Sequence, residues 1–393
     1  MSGIITKVKA IEDYIIGWRR SFHKEPELSG QEYKTQAKIM AELDKLGIPY
    51  RKVGNTSLIA VLKGAKEGKT LVLRGDIDAL PIHEEADLEG DYKSVNPGVM
   101  HACGHDAHAA MLLGAARILA DMKEELAGEV RFFFQEGEET SSGAQKIIEA
   151  GGMEGVDACF GLHGIAELET GYYNVVPGYR MSGCDTIGVI FEGVSGHVST
   201  PHLGKDTIHP ACHFVIDLQG IVGKNVDPRQ PAVLSVGKIR GGTRANIIAK
   251  STEVDISMRY FDPKVRETLF AAIQRHANAI ADAYEIKAEV VIKESSPSLY
   301  NDEELAKIAD QAAAKVFGPE RNLPVEKLMI SEDMACYFRK AKGVFAFVGL
   351  RNEGKGCIYP LHHEKFILDE DYLKYGTAWH VQFALDYLKG ESN

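Results

Sequence analysis

The chain has 393 residues, of which 45% are hydrophobic and 26% are charged, and its formal net charge is −11 at pH 7. This composition is typical of a globular protein, and the acidic balance argues against nucleic acid or an anionic membrane surface as a partner. The length exceeds what one typical hydrophobic core supports, so the sequence predicts two domains.

The N-terminus and the cysteines indicate the cellular compartment of the protein. Residues 1–9 contain no cationic segment followed by an apolar one, and no apolar run reaches the roughly 18–20 residues that a membrane helix needs. The six cysteines are scattered without a pairing pattern, which suits a reducing compartment. We therefore expect a cytoplasmic protein without a membrane partner.

The first elements are two helices and two strands. Apolar residues recur at helical spacing from Ile4 to Phe22, which predicts one amphipathic helix. A second helical pattern runs from Tyr33 to Leu46 and stops at Gly47, a common helix-ending residue. Strand-like runs follow at 57–62 and 70–74.

Carboxylates follow two of the predicted strands. Asp76 and Asp78 come directly after the strand at 70–74, and Glu138 and Glu139 follow a buried strand at 130–134. Acidic groups at the ends of buried strands commonly serve a site at the sheet edge, here as a metal ligand and a general base. Solvated turns with capping or surface carboxylates are the alternative for either segment alone.

The segment 100–108 is the densest group of potential metal ligands. It reads Met-His-Ala-Cys-Gly-His-Asp-Ala-His and precedes a predicted helix at 109–122. Cys103 and His105 stand two residues apart in a glycine-containing turn, where both side chains can converge in front of the helix. A helix N-terminus lowers the pKa of a thiol, and thiolate and imidazole both bind transition metals. A buried cysteine beside capping residues is the alternative, but the combination favours a metal site.

Further strands and helices complete an α/β pattern. The apolar run 158–162 delivers His163 at its end, so several strand ends carry acidic, Cys or His groups. Alternation of such strands with helices predicts an α/β sheet whose carboxyl edge is the site.

The pattern changes between residues 182 and 295, where strands and helices follow the order β-α-β-β-α-β of a ferredoxin-like domain. The tail then resumes α/β character. The predicted fold is thus α/β with two domains: a discontinuous catalytic domain with a mixed sheet, and an inserted α+β small domain for lid or dimerisation functions. Their limits are 1–181 with 296–393 for the first and 182–295 for the second.

Several of these segments together resemble the M20 metallopeptidase family. The resemblance is strongest to its amidohydrolase subgroup, which includes hippurate hydrolases, bacterial N-acyl-amino-acid deacylases and plant auxin-conjugate hydrolases. It extends over nearly the whole chain, and the Cys/His segment is its most specific part. The segments that carry it are 74–81, 100–108, 135–139, 162–163 and 359–362.

The resemblance implies a site for two divalent metal ions. It makes Glu138 the general acid and base, and Asp78 a carboxylate that orients a ligand. The activity it implies is amide hydrolysis of N-acyl-L-amino acids by a metal-activated water. The implied ligands are Cys103 as a bridging thiolate, His105, Glu139, His163 and His362.

The resemblance also implies roles for residues of the small domain. His197 would stabilise the oxyanion, reaching it by domain closure or from the partner subunit of a homodimer. Asn246 and Arg259 would bind substrate, with Arg259 holding a carboxylate. Without the resemblance, Arg259 reads as a strand-surface cation and His197 as a turn residue.

Other functions compete with this one. A dipeptidase or carboxypeptidase of the same family differs only in pocket shape. Cys103 could instead be a thiol nucleophile, and the chain could be a metal-free binding protein, although no proposed ligand is missing. Zinc, cobalt, nickel and manganese all suit the proposed donors.

Overall fold

The structure is a computed structural model that describes residues 3–88 and 90–389. It divides into two compact units. The first comprises Met1–Gly178, Tyr300–Glu326 and Asp333–Asn393, and the second comprises Tyr179–Leu299 and Lys327–Glu332. The predicted fold class is confirmed, while the predicted domain limits at 181 and 296 and the lid or dimerisation role remain proposals.

Helices and strands alternate along most of the chain. The helices are α1 Gly3–Lys9, α2 Glu12–Lys24, α3 Tyr33–Leu46, α4 His105–Asp121, α5 Gly143–Glu149, α6 Ile208–Asn225, α7 Pro263–Ala283, α8 Glu303–Phe317, α9 Ala335–Phe338 and α10 Tyr372–Lys389. The strands are β1 Tyr50–Val53, β2 Ser57–Lys63, β3 Lys66–Asp76, β4 Ala127–Gln135, β5 Ala158–Glu169, β6 Tyr173–Asn174, β7 Gly178–Met181, β8 Gly183–Glu192, β9 Ala232–Gly241, β10 Ser251–Tyr260, β11 Lys287–Ser296, β12 Leu299–Asn301 and β13 Lys342–Arg351. Among the described residues, no helix has both the length and the apolar character that a membrane span requires.

The N-terminal prediction of one helix from Ile4 to Phe22 is wrong. The backbone tightens after α1, where the amide of Ile11 donates to the carbonyl of Val8, three residues back. A new helix then begins at Glu12, and Glu12 and Asp13 place acidic groups in its first turn, where the helix dipole favours them. The prediction for α3 is confirmed, and Gly47 ends it in the left-handed region with φ 65°.

The first unit is built on a seven-stranded mixed sheet with the order β1-β2-β4-β3-β5-β13-β6. The central strands β4, β3, β5 and β13 are parallel to one another, while β1, β2 and β6 pair antiparallel with their neighbours. Parallel strands end at one edge of a sheet, so the loops that follow β3 and β4 emerge side by side.

Aromatic packing holds this sheet to its helices. The ring of Phe160 on β5 stacks on that of Phe383 on α10, with 4.4 Å between the ring centroids. Trp379 on α10 is fully buried, and its Nε1 donates to the carbonyl of Ala309 at 2.9 Å. Satisfying its one polar atom lets the large indole lie in the core without a desolvation penalty.

The second unit has the predicted β-α-β-β-α-β order. Strands β8 to β11 form an antiparallel sheet in the order β11-β8-β10-β9. Apolar residues of α6 and α7 cover one face, where Phe191 packs against Phe214. Helix α7 begins as predicted, with Pro263 in its first turn and Asp262 accepting from the amide of Lys264 at 2.8 Å.

Candidate metal centre

The candidate centre lies at the carboxyl edge of the seven-stranded sheet, within the first unit. Loops after β3 and β4, the turn before α4, the strand β5 and the loop after β13 all contribute to it. The structure brings together the five predicted ligands, which are separated widely in sequence: Cys103, His105, Glu139, His163 and His362.

The thiol of Cys103 lies among these donors. Its Sγ is 3.3 Å from Nε2 of His362 and 3.5 Å from Nε2 of His163. Two groups of potential ligands therefore share Cys103: one with His105 and His163, the other with Glu139 and His362, and within each group the donor atoms lie within 4.8 Å of one another. This arrangement suits two neighbouring cations that share one sulfur ligand.

The ring of His105 is oriented for coordination. Its Nδ1 lies 3.0 Å from the backbone carbonyl of Asp78 and 3.1 Å from that residue's Oδ1, so Nδ1 carries the proton. The opposite nitrogen, Nε2, is buried without a hydrogen-bond partner, and so is Oε1 of Glu139 at 3.9 Å. Two buried polar atoms without hydrogen-bond partners are costly, and a cation between them would satisfy both, so the donor set fits a metal ion.

Burial changes the titration of the sulfur ligand. It raises the pKa of the Cys103 thiol well above its ordinary value, and the nearby His105 lowers it by less. In the metal-free protein, this burial opposes the thiolate that the helix N-terminus is expected to favour. The thiolate needs the charge of a bound cation, which also displaces the thiol proton.

The pKa values of the two buried histidines are shifted in opposite directions. Burial tends to lower the pKa of His105, but Asp76, Cys103 and Asp78 raise it well above the ordinary value. For His163, burial and the neighbouring His108 lower the pKa well below the ordinary value. His163 donates from Nδ1 to the carbonyl of Gly164 at 2.6 Å, which leaves the Nε2 lone pair facing Cys103.

Behind the ligands lies a buried network that joins β3 to α4. Nε2 of His108 accepts from the amide of Gly164 at 3.2 Å, so its Nδ1 carries the proton and donates to Oδ1 of Asp76 at 2.6 Å. Arg74 donates to Oδ2 of Asp76 at 2.6 Å and to Asp333 at 2.9 Å. Although burial raises the pKa of Asp76, Arg74, His105 and His108 together bring it well below its ordinary value.

The predicted general base stands beside these donors. Ligand atoms of His105, Glu138 and Glu139 lie within 4.8 Å of one another. The carbonyl of Glu138 accepts from the amide of Ser141 at 2.7 Å, which closes a tight turn after β4. A carboxylate beside a metal site, but outside its five-donor set, is placed to exchange protons with a bound water.

In the second unit, His197 and Asn246 share one surface. The amide of Val198 donates to the carbonyl of Asn246 at 3.4 Å, and His197 pairs with Ile247 in an isolated β-bridge. Nδ1 of His197 accepts from the amide of Ser199 at 3.2 Å, so the ring proton lies on Nε2. Arg259, on β10, donates to the hydroxyl of Ser331 at 3.5 Å.

Comparison with known proteins identifies the family. A model of the peptidase family M20/M25/M40 matches residues 72–386. The chain belongs to this family. It is an M20 metal-dependent hydrolase, as the resemblance of its motifs predicted.

Relatives of this M20 hydrolase carry different names. The thermostable carboxypeptidase 1 of Saccharolobus solfataricus is 38% identical over 385 residues, which cover 97% of each chain. The N-acetyl-L-cysteine deacetylase of Bacillus subtilis is 37% identical over 368 residues, covering 92% of this chain and 85% of the relative. The crystal structure of the B. subtilis YxeP protein, described as a dinuclear metal binding peptidase from the M20 family, has a TM-score of 0.84 and 33% identity, and the match covers 97% and 99% of the two chains.

Sequence reasoning missed part of the M20 centre. Asp76 appeared only as a strand-end carboxylate, whereas His108 lies in the Cys/His segment and was expected near the ligands without a defined partner. Their spacing held a usable signal, because Asp76 is two residues before Asp78 and His108 is three residues after His105 on one helix. Asp333 lies far along the chain, and no local pattern tied it to Arg74.

Proposed function

We propose that this M20 hydrolase cleaves the amide bond of N-acyl-L-amino acids, as an aminoacylase or deacylase. The observation that carries the proposal is the five-donor cluster around Cys103, with Glu138 beside it. The cluster supplies metal-dependent hydrolysis, and the deacetylase among the relatives supplies the substrate class. The substrate is a small molecule.

We assign two divalent metal ions to the cluster, which the two donor groups would hold, and Cys103 belongs to both groups. The unpartnered Nε2 of His105 and Oε1 of Glu139 support this assignment, as does the dinuclear relative. Imidazole, thiolate and carboxylate together accept zinc, manganese, nickel or cobalt. Bound cations would lower the pKa of a water molecule and polarise the amide carbonyl.

The protein's own residues would move the protons. Glu138 accepts the proton of the attacking water and returns it to the leaving nitrogen, which makes it both general base and general acid. Asp78 keeps the proton of His105 on Nδ1, so the other ring nitrogen stays available as a ligand. His197 presents Nε2–H, the tautomer that can donate to an oxyanion.

The two candidate substrate-binding residues lie in the second unit. The guanidinium of Arg259 matches the carboxylate of an N-acyl amino acid, since its planar fork binds a carboxylate through two hydrogen bonds. Asn246 is exposed near His197 and offers an amide to the acyl group.

A dipeptidase or carboxypeptidase is the second candidate, because the S. solfataricus relative bears the name carboxypeptidase. Both activities release an amino acid whose carboxylate is free, so Arg259 serves either one. The two activities differ on the other side of the scissile bond, which carries an acyl group in a deacylase substrate and an amino acid or a longer peptide in a dipeptidase or carboxypeptidase substrate.

One experiment separates these functions. Protein stripped with a chelator is reconstituted with manganese, zinc, nickel or cobalt, and the release of free amino acid is measured on N-acetyl, N-benzoyl, dipeptide and longer peptide substrates. We expect metal-dependent cleavage of acylated amino acids, with kcat/KM well above that for peptides. Preference for free peptides would establish the second candidate, and activity that survives stripping would contradict both.

We also propose a homodimer formed through the second unit, and a cytoplasmic location. Ile216 on α6 and Ile239 on β9 are exposed by 70% and 49%, and both lie in that unit. All six cysteines lie among the described residues and none forms a disulfide, as expected in a reducing compartment. Sedimentation velocity of the wild type and of Ile216→Lys tests the dimer, which should dissociate in the variant.

A further inference from the structure

The turn at residues 29–32 lies against the segment that carries the general base. We call residues 137–139 the Glu138 loop. This loop turns sharply at Gly137, whose φ of 60° lies in the left-handed region that favours glycine. Two side chains of the 29–32 turn act on the loop: Glu32 contacts its first end directly, and Ser29 contacts Asp78, which holds the second end.

Glu32 holds the first end. Its side chain is fully buried, and Oε1 accepts from the amide of Gly137 at 3.0 Å and from the amide of Gly30 at 2.9 Å. One carboxyl oxygen thus ties its own turn to the backbone immediately before Glu138.

The other oxygen of Glu32 belongs to a second contact. Oγ1 of Thr56 lies 2.5 Å from Oε2 of Glu32 and 3.0 Å from Oε2 of Glu136. The hydroxyl has one hydrogen and cannot donate to both carboxylates. Glu136 is the charged member, since Lys146 and the amides of Thr56 and Ser57 donate to it.

A proton on Glu32 resolves this competition. The protonated acid donates to Thr56, and the Thr56 hydroxyl then donates to Glu136. Burial raises the pKa of Glu32 to about 7, which agrees with a protonated group near neutral pH. Neutral Glu32 still accepts the Gly137 amide through its carbonyl oxygen.

Ser29 acts on the second end through Asp78. Its hydroxyl donates to Oδ2 of Asp78 at 2.7 Å, and the same oxygen accepts from the amide of Glu139 at 3.1 Å. Glu138 therefore lies between two backbone amides, those of Gly137 and Glu139, that are held from the same turn.

We propose that Glu32 is a positioning residue, which fixes the Glu138 loop through the Gly137 amide and so aims the Glu138 carboxylate. The positioning role of Glu32 rests on the proposed function of Glu138, whereas the hydrogen bond between Glu32 and the Gly137 amide is independent of it. Loss of the hydrogen bond between Glu32 and the Gly137 amide would let the general base move without removing any metal ligand. Misplacement of a catalytic group by about 1 Å costs on the order of 100-fold in rate.

Three variants separate geometry from charge. Glu32→Gln keeps an oxygen for the two amides and gains an NH2 group that donates to Thr56, so we expect kcat close to wild type. Glu32→Ala removes all three contacts, and kcat should fall about 100-fold while KM and the metal content per chain stay unchanged. Glu27→Ala is the matched control, because Glu27 caps α3 through the amides of Lys34 and Thr35 and does not touch the loop.

Hydrogen–deuterium exchange of the metal-loaded protein provides a readout that needs no substrate. We expect faster exchange of the Gly137 amide in Glu32→Ala than in wild type, and no change in Glu32→Gln or Glu27→Ala. If wild type cleaves none of the acyl or peptide substrates, the proposed function is wrong. The exchange result still tests whether Glu32 holds the Gly137 amide. The positioning role would be overturned if Glu32→Ala had the kcat or the Gly137 amide exchange of wild type. It would also be overturned if Glu32→Gln lost as much kcat as Glu32→Ala.

Discussion

Nε2 of His362 lies 3.3 Å from Sγ of Cys103, although 259 positions separate the two residues in the chain. The backbone explains this proximity, because the amide of His362 donates to the carbonyl of Ala102 at 2.8 Å. His362 also has a φ of 64°, a conformation that non-glycine residues rarely adopt. Such strain is retained where the surrounding structure fixes a side chain, here directed at the thiol.

The first prediction concerns this shared thiol. Cys103→Ser removes the sulfur that both ligand groups contain. Metal affinity should therefore fall by more than the roughly 10–100-fold that is typical when a residue that hydrogen-bonds to a metal ligand is removed. Metal content after dialysis against graded chelator measures it. Cys212→Ser, an exposed cysteine of the second unit, is the control and should bind metal normally. Full metal binding by Cys103→Ser would return the residue to the role of a thiol nucleophile.

The second prediction separates two adjacent glutamates. Glu138→Gln should lower kcat by about 10²–10⁴-fold with metal content unchanged, because it removes the proton acceptor alone. Glu139→Gln should lose metal, since Oε1 of Glu139 lies 3.3 Å from His362 and has no hydrogen-bond partner of its own. Parallel metal analysis and kinetics of the pair check both statements. Equal metal loss in the two variants would show that the assigned roles are wrong.

The third prediction concerns the network behind the ligands. His108→Ala leaves Oδ1 of Asp76 without its donor and the Gly164 amide without an acceptor, so metal affinity should fall roughly 10–100-fold. His101→Ala is a matched control, because His101 is equally buried and its ring nitrogens have no hydrogen-bond partner in the described structure. Titration calorimetry with zinc compares the two. A loss in His108→Ala no larger than that in His101→Ala would show that the network behind the ligands does not support metal binding.

The sequence predicted the parts of the centre that follow local rules. Buried strands such as β4 read as apolar runs, and the groups at their ends, Asp78 and Glu139, follow directly. Ligand chemistry and the family resemblance then supplied Cys103, His105 and the more distant His362. These signals act over a few residues or through motifs.

Long-range hydrogen bonds gave no comparable signal. Glu32 reads from the sequence as the residue before a helix, yet its carboxyl group meets Gly137, which is 105 positions away. The raised pKa of Cys103 also depends on burial, which only the packed site supplies. Such contacts are determined by the tertiary arrangement of distant loops, and the residues adjacent in sequence do not reveal them.

The last prediction tests the protonation of Glu32 through stability. Its pKa rises from 4.5 in the unfolded chain to about 7 in the fold, so the folded protein keeps a proton that the unfolded chain releases between these values. Stability must therefore decrease as pH rises through that window and level off above pH 7. Glu32→Gln has no such proton and lacks this decrease.

Chemical unfolding of both proteins at about pH 5 and about pH 8 measures the effect. Relative to wild type, Glu32→Gln should gain on the order of 2–3 kcal/mol in the free energy of unfolding between the two conditions, since one pKa unit corresponds to about 1.4 kcal/mol. Other groups contribute equally to both proteins and cancel in the difference. An unchanged difference would mean that Glu32 is ionised in the folded protein, and the hydrogen of Thr56 would then have to be shared between two charged carboxylates.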